Sequence, residues 1–136
     1  MSNKVIHPVG WEVAKGYANG VLTEDGLLFV GGQIGWNTAQ VFETHDFIGQ
    51  MEQTLKNIMD VITEAGGTAE DLVRLTWFVI DKKEYAARQQ EVGEVYRRVL
   101  GRNFPAMTMV IVAGLLEDEA LLEIEATANL SHLKKA

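Results

Sequence analysis

A chain of 136 residues with 47% hydrophobic and 23% charged side chains has the size and apolar content for one compact core, outside the disordered range. Its formal net charge of -7 opposes binding to a polyphosphate backbone, which needs a basic patch to release counterions. The absence of cysteine excludes disulfides, thiolate metal sites and thiol nucleophiles. No segment approaches the ~18 consecutive apolar residues that a membrane span needs, and Met1 to Gly10 carry no apolar run. The expected compartment is therefore the cytoplasm, with no membrane or nucleic-acid partner.

The predicted elements start after an N-terminal extension of about 15 residues within a single domain spanning 1–136. Tyr17–Leu22 and Leu27–Gly31 flank Thr23-Glu24-Asp25-Gly26 and read as a hairpin, because Asp-Gly tolerates positive φ. From Asp46 to Ala65 apolar residues recur at three- and four-residue steps, predicting an amphipathic helix stopped by Gly66-Gly67. Asp71–Ile80 is short, β-branched and aromatic, and apolar on both faces, which predicts an interior strand. Glu84–Leu100 repeats the helical pattern up to Gly101, and Ala106–Ala113 and Leu121–Leu130 read as two more strands. An extra short strand is expected near Val41.

This order, β-β-α-β-α-β-β, fits an α+β sheet with two helices on one face. The strand patterns leave the second face apolar. Val73, Leu75, Trp77 and Val79 alternate with Leu72, Thr76, Phe78 and Ile80, and Met107, Met109 and Ile111 alternate with Thr108, Val110 and Val112. Both sets cannot meet the helices, so another copy of the chain in a closed ring is the expected cover.

Period-two geometry puts Glu123 and Glu125 on one strand face and Leu122, Ile124 and Ala126 on the other. A carboxylate in such a place has either a raised pKa, suiting proton transfer or the orientation of a water, or an ionic partner. Arg74 and Lys15 are candidates for that partner, so a structural ion pair stays open. Gly31-Gly32-Gln33-Ile34-Gly35-Trp36 leaves the backbone accessible to a ligand, although it lacks a phosphate-loop fingerprint, and a bulge or strand exit is the competing role. His7, His45 and His132 are scattered without ligand spacing, so no metal is expected. Trp36 and Trp77 are core residues or walls of a cleft.

In order along the chain stand Gly16-Tyr17 with Gly20, Gly32-Gln33-Ile34, Gln53-Thr54-Leu55-Lys56-Asn57-Ile58, Glu64-Ala65-Gly66, Phe78-Val79-Ile80-Asp81, Phe104-Pro105-Ala106 and Leu122-Glu123-Ile124-Glu125-Ala126. From about Gly16 to Asn129 the sequence resembles the Rid/YjgF family of small enamine/imine deaminases. The resemblance implies a chorismate-mutase-like fold assembled as a homotrimer, with the sheets in a central barrel, the helices outside and three clefts between subunits. It also implies deamination of a small molecule without cofactor, with Glu123 orienting the attacking water. Tyr17, Gly31, Gly32 and Gln33 take the family's ligand-binding positions.

One position departs from the family. The arginine that directly follows Phe-Pro-Ala and grips the substrate carboxylate is here Met107, a thioether that gives no hydrogen bond. Losing charged hydrogen bonds of roughly 1.5–3 kcal/mol weakens carboxylate binding on the order of ten- to a hundredfold. Arg88 or Arg102 could replace it, or a larger and more apolar substrate could bind against Met107, Met109 and Trp77, with its charge away from the reacting carbon, as in ring-cleavage products of aromatic catabolism. A non-catalytic, ligand-binding trimer of the same fold is the alternative.

Overall fold

In the computed structural model, which describes residues 2–135, six strands form one sheet. They are β1 (Lys4–Ile6), β2 (Gly20–Leu22), β3 (Leu27–Gln33), β4 (Leu72–Val79), β5 (Ala106–Ile111) and β6 (Leu122–Asn129), in spatial order β1-β2-β3-β6-β4-β5. Strands β3 and β4 are both antiparallel to β6, whereas β5 runs parallel to β4 on the sheet's far edge. Three helices accompany the sheet: α1 (Phe47–Glu64), α2 (Lys82–Ala87) and α3 (Gln89–Leu100).

The β2–β3 hairpin closes through Thr23, whose N–H donates to the Leu27 carbonyl at 2.8 Å, with Gly26 at φ +98 as the Asp-Gly step requires. Helix α1 begins where the Asp46 carboxylate accepts from the Gly49 N–H at 3.1 Å. It buries Phe47, Met51, Leu55, Ile58 and Ile62 against the sheet, as the periodicity predicts. Four details differ from the sequence reading. The N-terminal stretch supplies an edge strand, because Lys4–Ile6 pairs antiparallel with Gly20–Leu22. The segment at Val41 is a loop: the Asn37 side-chain oxygen accepts from the N–H groups of Ala39 and Val41, which diverts them from a ladder. The helical pattern after β4 starts at Lys82 and is two helices, because Arg88 leaves helical geometry at φ -123 and ψ 33. Finally, β4 carries a bulge between Leu72 and Arg74, so Leu72 joins Leu75, Trp77 and Val79 in the core while Val73 turns outward.

All helical packing lies on one sheet face. Leu28, Val30, Leu75, Trp77, Val79, Leu122, Ile124 and Ala126 meet α1 and α3 there in a single core. The opposite face is open within the chain. It exposes Leu27, Phe29, Val73 and Val110 beside Glu123, Glu125, Arg74 and Thr76.

Candidate functional site

The site around Glu123 is built from the glycine bulge. Val30 pairs with Ala126 and Gln33 with Ile124, so Gly31 and Gly32 together stand opposite Glu125. The bulge reading holds, and the extra residue brings the Gly32 backbone against the neighbouring acid. A Cβ on Gly32 would lie 2.0 Å from Glu123 Oε2, so only glycine admits the carboxylate at this spot.

Buried amides fix the bulge from behind. Gln33 Nε2 donates to Asn19 Oδ1 and to the Gly31 carbonyl, both at 3.1 Å. Asn19 in turn donates to His7 Nδ1 at 3.5 Å, and His7 Nε2 to the Trp11 carbonyl at 3.2 Å. After the bulge, Asn57 of α1 donates to the Ile34 and Trp36 carbonyls at 3.0 and 2.8 Å and accepts from Gln53 at 2.8 Å. Gln50 grips the far end of β6, accepting from the Leu121 N–H at 2.8 Å and donating to the Glu119 carbonyl at 2.9 Å. The buried polar residues of α1 thus hold both strands of the site, which gives the Gln53–Ile58 motif a physical reason.

Glu123 is half-buried on the open face, and no cation lies within ion-pairing distance of it among the described residues. Burial pushes its carboxyl pKa up, and the charge of Glu125 adds to the rise. Within one chain, then, neither Arg74 nor Lys15 forms the structural ion pair.

The structure divides the remaining candidates. Gly31 and Gly32 lie beside Glu123, while Gln33 is buried with its side chain turned away to hold the bulge. Tyr17 is exposed, and its hydroxyl accepts from Gln40 Nε2 at 3.5 Å. Trp77, Met107 and Met109 belong to the other face: Trp77 pairs with Ile124 and Met109, and Met107 with Leu75, all on the helix side. One chain therefore does not bring Met107 and Glu123 into one pocket.

Neither arginine weighed as a substitute stands with Glu123. Arg88 is held by Asp46 at 2.6 Å, Glu91 at 2.8 Å and Glu84 at 3.1 Å, which pushes the guanidinium pKa up further and leaves its fork occupied. Arg102 is exposed in the turn before Asn103. The arginine near Met107 is Arg97 of α3, which is exposed. Among the described residues no group of three or more His, Cys, Asp or Glu is placed to hold a metal, and no helix is long and apolar enough to cross a membrane.

A family model described as endoribonuclease L-PSP matches residues 10–130. A RutC family protein of Haemophilus influenzae is 35% identical over 128 residues, covering 94% of this chain and 98% of its own. The chain belongs to the Rid/YjgF family. Among solved members, the conserved Rid-family protein YyfA of Yersinia pestis superposes with a TM-score of 0.81 at 30% identity, covering 94% of this chain and 99% of its own. Escherichia coli TdcF, solved with bound serine, gives a TM-score of 0.79 at 26% identity, over 93% of this chain and 98% of its own. As a Rid-family sheet, the fold accounts for the one-sided helices and the open second face.

Proposed function

We propose that the chain hydrolyses a small enamine or imine to a carbonyl compound and ammonia, in a cleft completed when a second copy covers the open sheet face. The observation that carries this reading is Glu123: a half-buried acid with a raised pKa, no ionic partner among the described residues, and the backbone of Gly32 against it. Such a group takes a proton from water as the oxygen adds to the C=N carbon, then returns it to the nitrogen of the carbinolamine. The acid then takes the proton of the carbinolamine hydroxyl and passes it to the nitrogen as the C–N bond breaks, so ammonia leaves, the carbonyl forms and the acid ends the cycle as it began. An enamine enters the same sequence after protonation at carbon.

Closure into a homotrimer is part of the proposal. Leu27, Phe29, Val73 and Val110 are exposed on one face, and full burial of each such side chain contributes about 1.5–3 kcal/mol. The edge strand β5, with Met107, Val110 and Ile111 exposed, is a second surface that calls for cover. In a ring, the β5 edge of one copy set on the open face of the next would bring Met107 to Glu123, which a single chain does not do. The relative solved with serine supports a ligand of amino-acid size. Met107 favours a substrate with an apolar group at that position.

A non-catalytic binding role on the same scaffold is favoured by one observation, the absence of the carboxylate-gripping arginine. Ribonucleolysis, which the family's description names, is opposed by the net charge of -7. Purified protein supplied with freshly generated aminoacrylate, and with a larger aminomuconate-type enamine, tests the proposal through ammonia release. The larger substrate should react faster, and Glu123→Gln should lose most of the rate. Equal rates for the wild type and this variant would exclude the acid from the chemistry.

A further inference from the structure

His7, Asn19 and Gln33 form a continuous hydrogen-bonded chain from the N-terminal segment to the glycine bulge, and its polarity is fixed at both ends. At one end His7 Nε2 faces the Trp11 carbonyl at 3.2 Å, and at the other Gln33 Nε2 faces the Gly31 carbonyl at 3.1 Å. Carbonyls only accept, so both ends demand donors. A neutral His7 that donates from Nε2 keeps Nδ1 as an acceptor, which the Asn19 amide nitrogen meets at 3.5 Å. That orientation turns Asn19 Oδ1 to Gln33 Nε2 at 3.1 Å, and Gln33 keeps its second N–H for Gly31.

Asn19 holds the bulge twice. Its backbone carbonyl accepts from the Gly31 N–H at 2.8 Å while its side chain orients Gln33. Asn19 and Gln33 are buried, so solvent does not replace a lost partner, and Gly31 adjoins Gly32, whose backbone lies against Glu123. An extra proton on half-buried His7 breaks the match. Nδ1 then donates, Asn19 turns its oxygen toward it, and the Asn19 nitrogen faces Gln33. Gln33 can accept only by turning its own oxygen, which then stands against the Gly31 carbonyl, acceptor on acceptor.

We infer that His7 is a positioning residue for the Glu123 site: as an acceptor at Nδ1 it sets Asn19 and Gln33 so that the bulge carries Gly32 against the acid. The inference rests on the deaminase reading for its consequence in turnover, and on the hydrogen-bonded chain alone for its structural part. Ionisable groups on the neighbouring elements are Lys4 on β1, Glu12 and Lys15 in the segment that follows, and Asp60 and Glu64 near the end of α1. Glu64 accepts from the Val9 N–H at 3.4 Å, and none of the five is ion-paired with His7.

Nuclear magnetic resonance of the 15N-labelled protein in its native assembly, from about pH 8 to about pH 5 where imidazole titrates, tests the structural part. Three histidines give three ring systems, and His7→Asn identifies that of His7. The expected result is the Nε2–H tautomer at the upper end, with the Gly31 and Gly32 amide signals moving at the midpoint of His7 protonation. Ammonia release from the aminomuconate-type enamine tests the rest. His7→Asn, whose side-chain oxygen takes the place of Nδ1 as acceptor, should keep kcat within about twofold, whereas His7→Leu should lower it about tenfold at unchanged KM, the size of one lost hydrogen bond. A role in packing alone predicts the reverse ranking, because leucine retains more of the ring's volume. The Nδ1–H tautomer, glycine signals indifferent to His7, or a His7→Leu variant as active as the wild type would overturn the inference. A wild type that releases no ammonia while its glycine signals follow His7 would sink the deaminase reading and uphold the positioning of the bulge.

Discussion

Replacing Asn57 by alanine tests the claim that α1 holds the site. Asn57 is 2% exposed, and its amide donates to two backbone carbonyls, those of Ile34 and Trp36, directly after the glycine bulge. Alanine leaves both acceptors facing a small void, and each unsatisfied group costs roughly 1–3 kcal/mol, so a loss of about 2–6 kcal/mol is expected. At roughly 2.1 cal/mol/K of unfolding entropy per residue, 136 residues convert this to a fall in Tm of about 7–21 °C. Asn57→Asp separates hydrogen bonding from volume. It fills the same space but turns a carboxylate on two carbonyl oxygens, and so should be less stable than the alanine variant at neutral pH. Protonation of the new acid supplies one donor, so the deficit should shrink on acidification. Urea denaturation at pH 7 and at pH 5 measures both effects. A loss below about 1 kcal/mol for Asn57→Ala, or an aspartate variant no worse than alanine at pH 7, would refute the account of α1 as the clamp on this strand.

The raised pKa of Glu123 makes a stability prediction with a definite sign. Well below the ordinary value of 4.5 the carboxyl is protonated folded and unfolded alike; above it the unfolded chain loses its proton first, so stability falls with rising pH until the folded value is passed. Glu123→Gln should therefore raise Tm at pH 7 and give no advantage well below pH 4.5, read from paired melting curves; a variant less stable than wild type at pH 7 would contradict the direction. Gly32→Ala should displace the Glu123 carboxylate, since the new Cβ would lie 2.0 Å from Oε2. The expected outcome is a large fall in ammonia release with a far smaller change in Tm, because the acid's far end swings toward solvent; unchanged turnover would show that its position against the bulge is immaterial.

Much of the fold is legible in the sequence because the determining signals are local. The α1 stripe, the Asp25-Gly26 turn and the alternation of Leu122–Ala126 each follow from a single period or a single φ requirement. The misses arise where a side chain overrides a local pattern. Arg88 holds three carboxylates in a non-helical conformation and divides an apparently continuous helix. Asn37 folds the Val41 segment around its own side chain. The bulge after Leu72 reverses the outward set at the start of β4, and no alternation rule anticipates it. For the site, Glu123 and Gly32 are legible as residues, but their contact across the sheet is a matter of register.

The open face carries its own discrimination between chemistry and structure. Glu123 and Arg74 share that face, yet neither is ion-paired among the described residues. Covering the face with a second copy desolvates both charges, and the interaction each then finds decides the role of the acid. If a neighbour's cation reaches Glu123, attraction drives its pKa back down and the acid becomes a fixed anion, a strut of the interface. If the neighbour brings apolar groups such as Met107 instead, desolvation acts without opposition, the pKa rises further, and the acid is suited to exchange protons with a trapped water. Under the proposed ring closure, assembly and catalysis would be linked through one titration, and Met107 would act in the second direction, because a thioether desolvates the carboxylate without neutralising it.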